Sequence, residues 1–139
     1  AAFPINEGQL QPEIRSPYHG DFILTPDLTI SPDGKYLLNG YGHMFSSETM
    51  RHMGKLDRHF SSIAIDTNYG ELYTANSSNL ITAYNYPTLE SFAQMTSYGN
   101  IEKMFYDSNS DELIALTKVN FGKSNYSLTG IEKIYFDTE

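Results

Sequence analysis

An all-β chain, built of short antiparallel strands meandering four to a sheet, is what this sequence predicts. Three observations predict it. Turn-forming clusters recur: "SPDGK" at 31–35, "DTNYGE" at 66–71 and "DSNSDE" at 107–112. A short apolar or alternating run stands on each side of every cluster. Aligned turn starts at Ser31, Asp66, Asp107 and Asp137 lie 35, 41 and 30 residues apart. Units of this size, with about four strands each, are the mark of propeller blades. One such sheet cannot bury both its faces, whereas sheets stacked around an axis bury them together. A β-sandwich of short strands is the alternative that fits similar turn spacing.

The elements follow in order. Leu28-Thr29-Ile30 leads into the first turn and Tyr36-Leu37-Leu38 follows it. Ser62-Ile63-Ala64-Ile65 and Leu72-Tyr73-Thr74-Ala75 flank the second, and Lys103-Met104-Phe105-Tyr106 and Leu113-Ile114-Ala115-Leu116 the third. Each is a hairpin pattern, with Asp and Asn able to bond nearby backbone N–H groups and to accept left-handed conformations. "NLITAYNY" at 79–86 alternates, Pro87-Thr88 turns the chain, and "LESFAQM" at 89–95 returns, so four strands fit between about 62 and 98. The best helix candidate is "SSETMRHMGKLDR" at 46–58, with an irregular hairpin as its competitor. "IEKMFYD" at 101–107 and "IEKIYFD" at 131–137 read as the entrances of consecutive units.

Composition removes several function classes. The chain has 139 residues, enough for one sizeable core, and 40% of them are hydrophobic. Its net charge is −8 and its nine Lys and Arg form no basic stripe, so phosphate backbones are repelled and nucleic-acid binding is not expected. No apolar run reaches the ~18 residues of a membrane span, so insertion is not expected either. There is no cysteine, which removes disulfides and thiolate metal sites without choosing a compartment. The eleven Tyr and eight Phe, against no Trp, suit half-buried strands and wet concave surfaces.

"LTISPDGKYLLNG" at 28–40 resembles the blade opening of the bacterial YVTN-type and WD-like β-propeller repeats. "SIAIDTNYGELYTANSSNLITAYNYPTLE" at 62–90 is similar over a full blade, with its Asn-Ser loop and Tyr-Pro-Thr turn, and "KMFYDSNSDELIAL" at 103–116 is a looser copy. The first unit has no Asn-Ser loop, and no Trp-Asp dipeptide occurs. The resemblance covers roughly 28–137 and implies units at about 28–61, 62–100 and 101–130, with a further unit opening at 131–139. Residues 1–27 then form an N-terminal arm or a closing strand. About three blades make an open or partial ring. The expectation is a segment of a larger propeller, or an arc completed by the stretch "PYHGDFILTPD" or by self-association.

Three candidate sites stand out. His43, His52 and His59 lie among Met44, Met50 and Met53, and imidazole with thioether suits copper. The competing reading is an irregular loop with polar His and gap-filling Met. No i,i+4 His pair or ligand-spaced carboxylate supports the metal, so none is assigned. In "DSNSDE", Asp107, Asn109 and Asp111 alternate as at the start of a calcium loop, but Glu112 and Lys118 occupy the positions where an EF-hand needs Gly and Glu; a turn is expected. Tyr41, Tyr69, Tyr84 and Tyr86, with Tyr73 and Tyr98, fall near strand ends and suit peptide or glycan contact, against the plainer role of filling sheet-to-sheet space.

No nucleophile elbow, zinc-binding His-Glu-x-x-His or phosphate-cradling glycine loop is present, and no catalytic residue or cofactor is assigned. The expected function is a binding or scaffolding module of a bacterial secreted or cell-surface protein, offering loops to a protein or glycan partner. The alternative is a fragment of a propeller enzyme, a hydrolase or lyase, whose active site lies in other blades.

Overall fold

In the computed structural model, residues 3–13, 15, 17–18, 20–22, 27–121 and 126–135 are described. Thirteen strands and no helix occur among them. A small exposed hairpin comes first, β1 (Ile5–Asn6) and β2 (Gln9–Leu10), turning through Glu7 and Gly8 at φ 51° and 77°. Three antiparallel sheets follow. The first is β3 (Leu28–Ile30), β4 (Tyr36–Asn39), β5 (His43–Ser46) and β6 (His52–Lys55). The second is β7 (Ser62–Asp66), β8 (Glu71–Ala75), β9 (Leu80–Asn85) and β10 (Ser91–Thr96). The third is β11 (Asn100–Asp107), β12 (Glu112–Asn120) and β13 (Ser127–Ile134).

Within each sheet every strand pairs with the next in sequence, because the turns between them reverse the chain tightly. In the first, Ser31 Oγ donates to Asp33 Oδ1 at 2.6 Å and the Lys35 N–H donates to the same oxygen at 3.1 Å. Gly34 closes the turn at φ 73°, where a side chain would be strained. Asp66 and Asp107 repeat the device, each accepting the N–H two residues ahead at 3.0 Å.

The second sheet is buried on both faces. Ile65, Leu72 and Tyr84 lie side by side across β7, β8 and β9 and pack with Leu38, Met44, Leu56 and Leu89 of the first interface. Their neighbours Ala64, Tyr73 and Ala83 face the other way, into Ile101, Met104, Leu113, Ala115 and Ile134. This is why the 62–84 strands read as nearly continuous apolar runs. Two cores separated by one sheet make a three-layer stack, not the two-sheet sandwich. The first strands β3, β7 and β11 together line a groove of about 220 Å³, through Ile30, Ile63, Ile65, Met104 and Phe105, so the sheets radiate from a common side.

Two expectations are corrected. Residues 46–58 form no helix; the competing reading, an irregular hairpin, is the one found. Ser46 does begin like a helix cap, its Oγ accepting the N–H groups of Glu48 and Thr49 at 3.2 Å, and its carbonyl accepting the Met50 N–H at 2.9 Å. Met50 then takes φ 60° and the single turn reverses into β6. Nor does Ile131 open a new unit. β13 pairs with β12 from Ser127 to Ile134 as the third strand of the same sheet. The echo is verbal only. A bulge between Ile101 and Lys103 turns both Ile101 and Met104 inward, whereas β13 has no bulge, leaving Ile131 76% exposed while Ile134 is buried. Asp137 lies outside the described residues.

The two ends of the stack differ. On the first sheet His43 and Phe45 point away from the core, and Tyr18 and Phe22 of the N-terminal arm pack over them, with ring centroids 5.0 and 5.6 Å from Phe22. The described part of the 17–27 stretch contains no strand, and its Tyr18 and Phe22 cover a face of the first sheet; the rest of the expected closing strand lies outside the described residues. On the third sheet Phe105 and Ile131 face outward, 52% and 76% exposed, beside Ile114 and Leu116.

Candidate functional site

The predicted histidines part company. The bulge between Met44 and Phe45 sets His52 on the same face as His43, and His43 Nδ1 lies 3.1 Å from His52 Nε2. Phe22 stacks on His52 at 4.3 Å, and the His52 N–H donates to the Tyr18 hydroxyl at 2.9 Å. Burial, then the partner imidazole and Lys55, hold His43 below the usual histidine range; burial and Lys55 do the same to His52. His59 stands apart, edge-on to Tyr41 at 4.4 Å. Met44 belongs to the core, and Met53 is exposed. Among the described residues no three His, Asp or Glu side chains gather closely enough to hold a metal.

Four of the predicted tyrosines, Tyr69, Tyr73, Tyr84 and Tyr86, become hydrogen-bond donors to carboxylates. Tyr84 is fully buried and donates to Asp57 Oδ1 at 2.5 Å. Burial and that bond push its phenol up to about 12, while the bond holds Asp57 below the usual carboxylate range. Tyr86 donates to Asp33 across the first interface at 2.8–2.9 Å. Tyr69, 66% exposed, donates to Asp111 at 3.2 Å. Tyr73 is buried, bonds Glu71 and stacks on Tyr106 at 6.1 Å. Tyr98 is 96% exposed, its N–H held by Glu132 at 2.9 Å. Sequence reasoning missed Tyr106, which donates to Asp111 at 3.2 Å.

A cavity of about 520 Å³ lies between the first and second sheets. Loop residues Asp57, Arg58 and His59 form one wall, and Asn76 and Ser78 the other, with Thr74 and Thr82 on the floor. Leu56 anchors the first wall at 0% exposure, and the second is tied down by the Ser77 N–H, which donates to Ser61 Oγ at 3.0 Å. Its chemistry is that of paired donors and acceptors on short loops, suited to main-chain and polar side-chain recognition. No helix among the described residues is long and apolar enough to cross a membrane.

No family model and no curated protein sequence matches the chain. Solved structures do. Hydrazine synthase of Kuenenia stuttgartiensis aligns at a TM-score of 0.57 and 15% identity, covering 73% of this chain and 32% of that one. The β-propeller domain of Cps50 (Swd1) from Myceliophteria thermophila aligns at 0.54 and 11%, covering 75% and 37%. U3-55K aligns at 0.55 and 14%, covering 81% and 37%. The chain thus spans about a third of the length of the structures it matches. Likeness at these identities bears on architecture alone, and with the three radiating sheets it identifies the chain as an open arc of β-propeller blades.

Proposed function

We propose that this chain is a non-catalytic binding or scaffolding module whose loops engage a protein partner. The observation that carries the reading is the 520 Å³ cleft between the first two blades, walled by anchored loops that present backbone and polar side chains. Such a wall suits an extended peptide better than a small apolar ligand, which needs an enclosed apolar pocket. A neighbour whose printed name gives a β-propeller domain supports the architecture this role needs. A setting on a bacterial secreted or cell-surface protein rests on the likeness of 28–40 and 62–90 to YVTN-type repeats. The enzyme reading has one support, a neighbour named as hydrazine synthase, and no catalytic constellation to go with it.

The chain is to be screened against peptide and glycan arrays, alongside a variant carrying Arg58→Ala and Asn76→Ala. Peptide capture that the variant loses is the expected result. Capture of glycans alone, or silence on both arrays, would overturn it.

A further inference from the structure

The cleft between the first two blades has the opposite charge balance to the chain around it. The chain carries nine Lys and Arg against seventeen Asp and Glu, a net charge of −8. Lining the cleft are two of those cations, Lys55 and Arg58, and a single carboxylate, Asp57. That carboxylate is already engaged within its own wall: its Oδ1 accepts the Tyr84 hydroxyl at 2.5 Å and Arg58 Nε at 3.3 Å. Arg58 is held only through Nε, so the two terminal nitrogens of its fork have no partner among the described residues. Its side chain is 42% exposed. Lys55 is exposed at the end of β6 and makes no ion pair among the described residues. The opposite wall, Asn76 and Ser78, and the floor, Thr74 and Thr82, carry no charge. The Asn76 side chain is exposed, its amide open to a partner.

An open guanidinium fork matches a carboxylate in shape, with two parallel N–H bonds. A nearby ammonium adds attraction without adding shape. An uncharged wall with one amide, both donor and acceptor, suits a peptide main chain. We infer that the cleft selects acidic segments: an extended peptide whose Asp or Glu side chain seats on Arg58 and Lys55 while its backbone runs along Asn76. The inference rests on the peptide-binding role proposed above and names the chemistry of the partner. The negative charge elsewhere on the chain does not oppose it. Exposed charges are screened beyond about 8 Å at physiological salt, so the lining residues, and not the net charge, decide what the cleft accepts. A basic peptide would meet Lys55 and Arg58 with only the engaged Asp57 to answer it, which is discrimination by repulsion.

The whole chain is to be probed with three sets of short peptides, random except at two adjacent positions fixed as Glu, Gln or Lys. The Glu set should be captured about tenfold more strongly than the Gln set and the Lys set least, and the Glu advantage should shrink as salt rises. Arg58→Gln and Lys55→Gln, both at exposed positions, should each reduce that advantage with the thermal midpoint unchanged. Asn76→Ala should weaken the Glu and Gln sets alike. Capture with no Glu advantage, or an advantage that survives Arg58→Gln, would overturn the acidic assignment and leave peptide binding standing. So would a fourth set, with phosphoserine at the fixed positions, if it were captured in preference to Glu. Silence on every set would instead overturn the peptide-binding role itself, and this inference with it.

Discussion

Tyr86 of the second blade donates its hydroxyl proton to the two carboxylate oxygens of Asp33 at 2.9 and 2.8 Å, fastening the first blade's turn to its neighbour. Asp33 also holds that turn together from within, through Ser31 and the Lys35 N–H. One carboxylate thus serves a local turn and an interface at once. Tyr86→Phe keeps the ring, which packs edge-on to Tyr36 at 5.7 Å, and removes only the donor. A bond to a charged acceptor contributes ~1.5–3 kcal/mol when buried. Asp33 is exposed, so the expected loss is about 1 kcal/mol, read from the denaturant midpoint. An unchanged midpoint would show the pair to be idle.

Acid should loosen the first interface. The Tyr84 hydroxyl, against some opposing burial, holds the Asp57 carboxyl below its ordinary value; in Asp33, burial is outweighed by Ser31, the Lys35 N–H and Tyr86. The folded state therefore binds fewer protons than the unfolded chain, whose carboxyls titrate near pH ~3.9. The stability so gained is complete above about pH 5 and is lost as pH falls through the folded values. Urea midpoints between about pH 6 and 3 should decline, and Asp57→Asn should flatten the decline. A parallel slope in that variant would assign the acid sensitivity elsewhere.

At the alkaline end the sign reverses. Burial and Asp57 raise Tyr84 to about 12, against ~10 for an unfolded tyrosine. Its contribution is full below pH ~10 and lost as pH rises through about 12. Phenolate absorbance should show a late ionisation that coincides with loss of β-sheet ellipticity. Tyr84→Phe is expected to shrink that late step by one tyrosine.

Gly99 leaves no room for a methyl group. A Cβ there would stand 3.0 Å from Thr117 Cβ and 3.1 Å from the Lys118 carbonyl oxygen. Gly99→Ala should cost about 1–3 kcal/mol by overpacking at the entry to β11. Gly130→Ala, whose nearest neighbour is 4.0 Å away, is the matched control and should be nearly silent in thermal unfolding.

Leu72 is fully buried where β8 meets the first blade. Leu72→Ala should cost about 2–5 kcal/mol, and a single cooperative transition should persist because both interfaces share the second sheet. Two separated transitions would mean that the blades unfold independently.

The blades were legible because turn chemistry is local. Ser31, Asp66 and Asp107 each reverse the chain with their own side chain, and each stands in the sequence as such. The third sheet was misread because a bulge is not local. Ile101 and Ile131 sit in matching strings, yet the register shift that buries one and exposes the other depends on the partner strand. The 46–58 segment read equally as helix or hairpin for a related reason: Ser46 is a good cap, and the left-handed Met50 turns the chain into β6. Of the predicted site residues, His43 and His52 converge through the β5–β6 bulge, while His59 lies on the loop beyond β6 and turns to Tyr41. Tyr106 escaped notice because nothing in "KMFYD" shows that Asp66, forty residues earlier, lies beneath it.

Tyr18 and Phe22 give the arc a direction. With their rings over His43 and Phe45, the first blade presents a finished wall, while the third offers Phe105 and Ile131 bare. A further sheet stacking on the first blade would have to displace those rings, whereas one stacking on the third would meet bare side chains, so the two faces of the arc differ in what a neighbour must remove before it can pack.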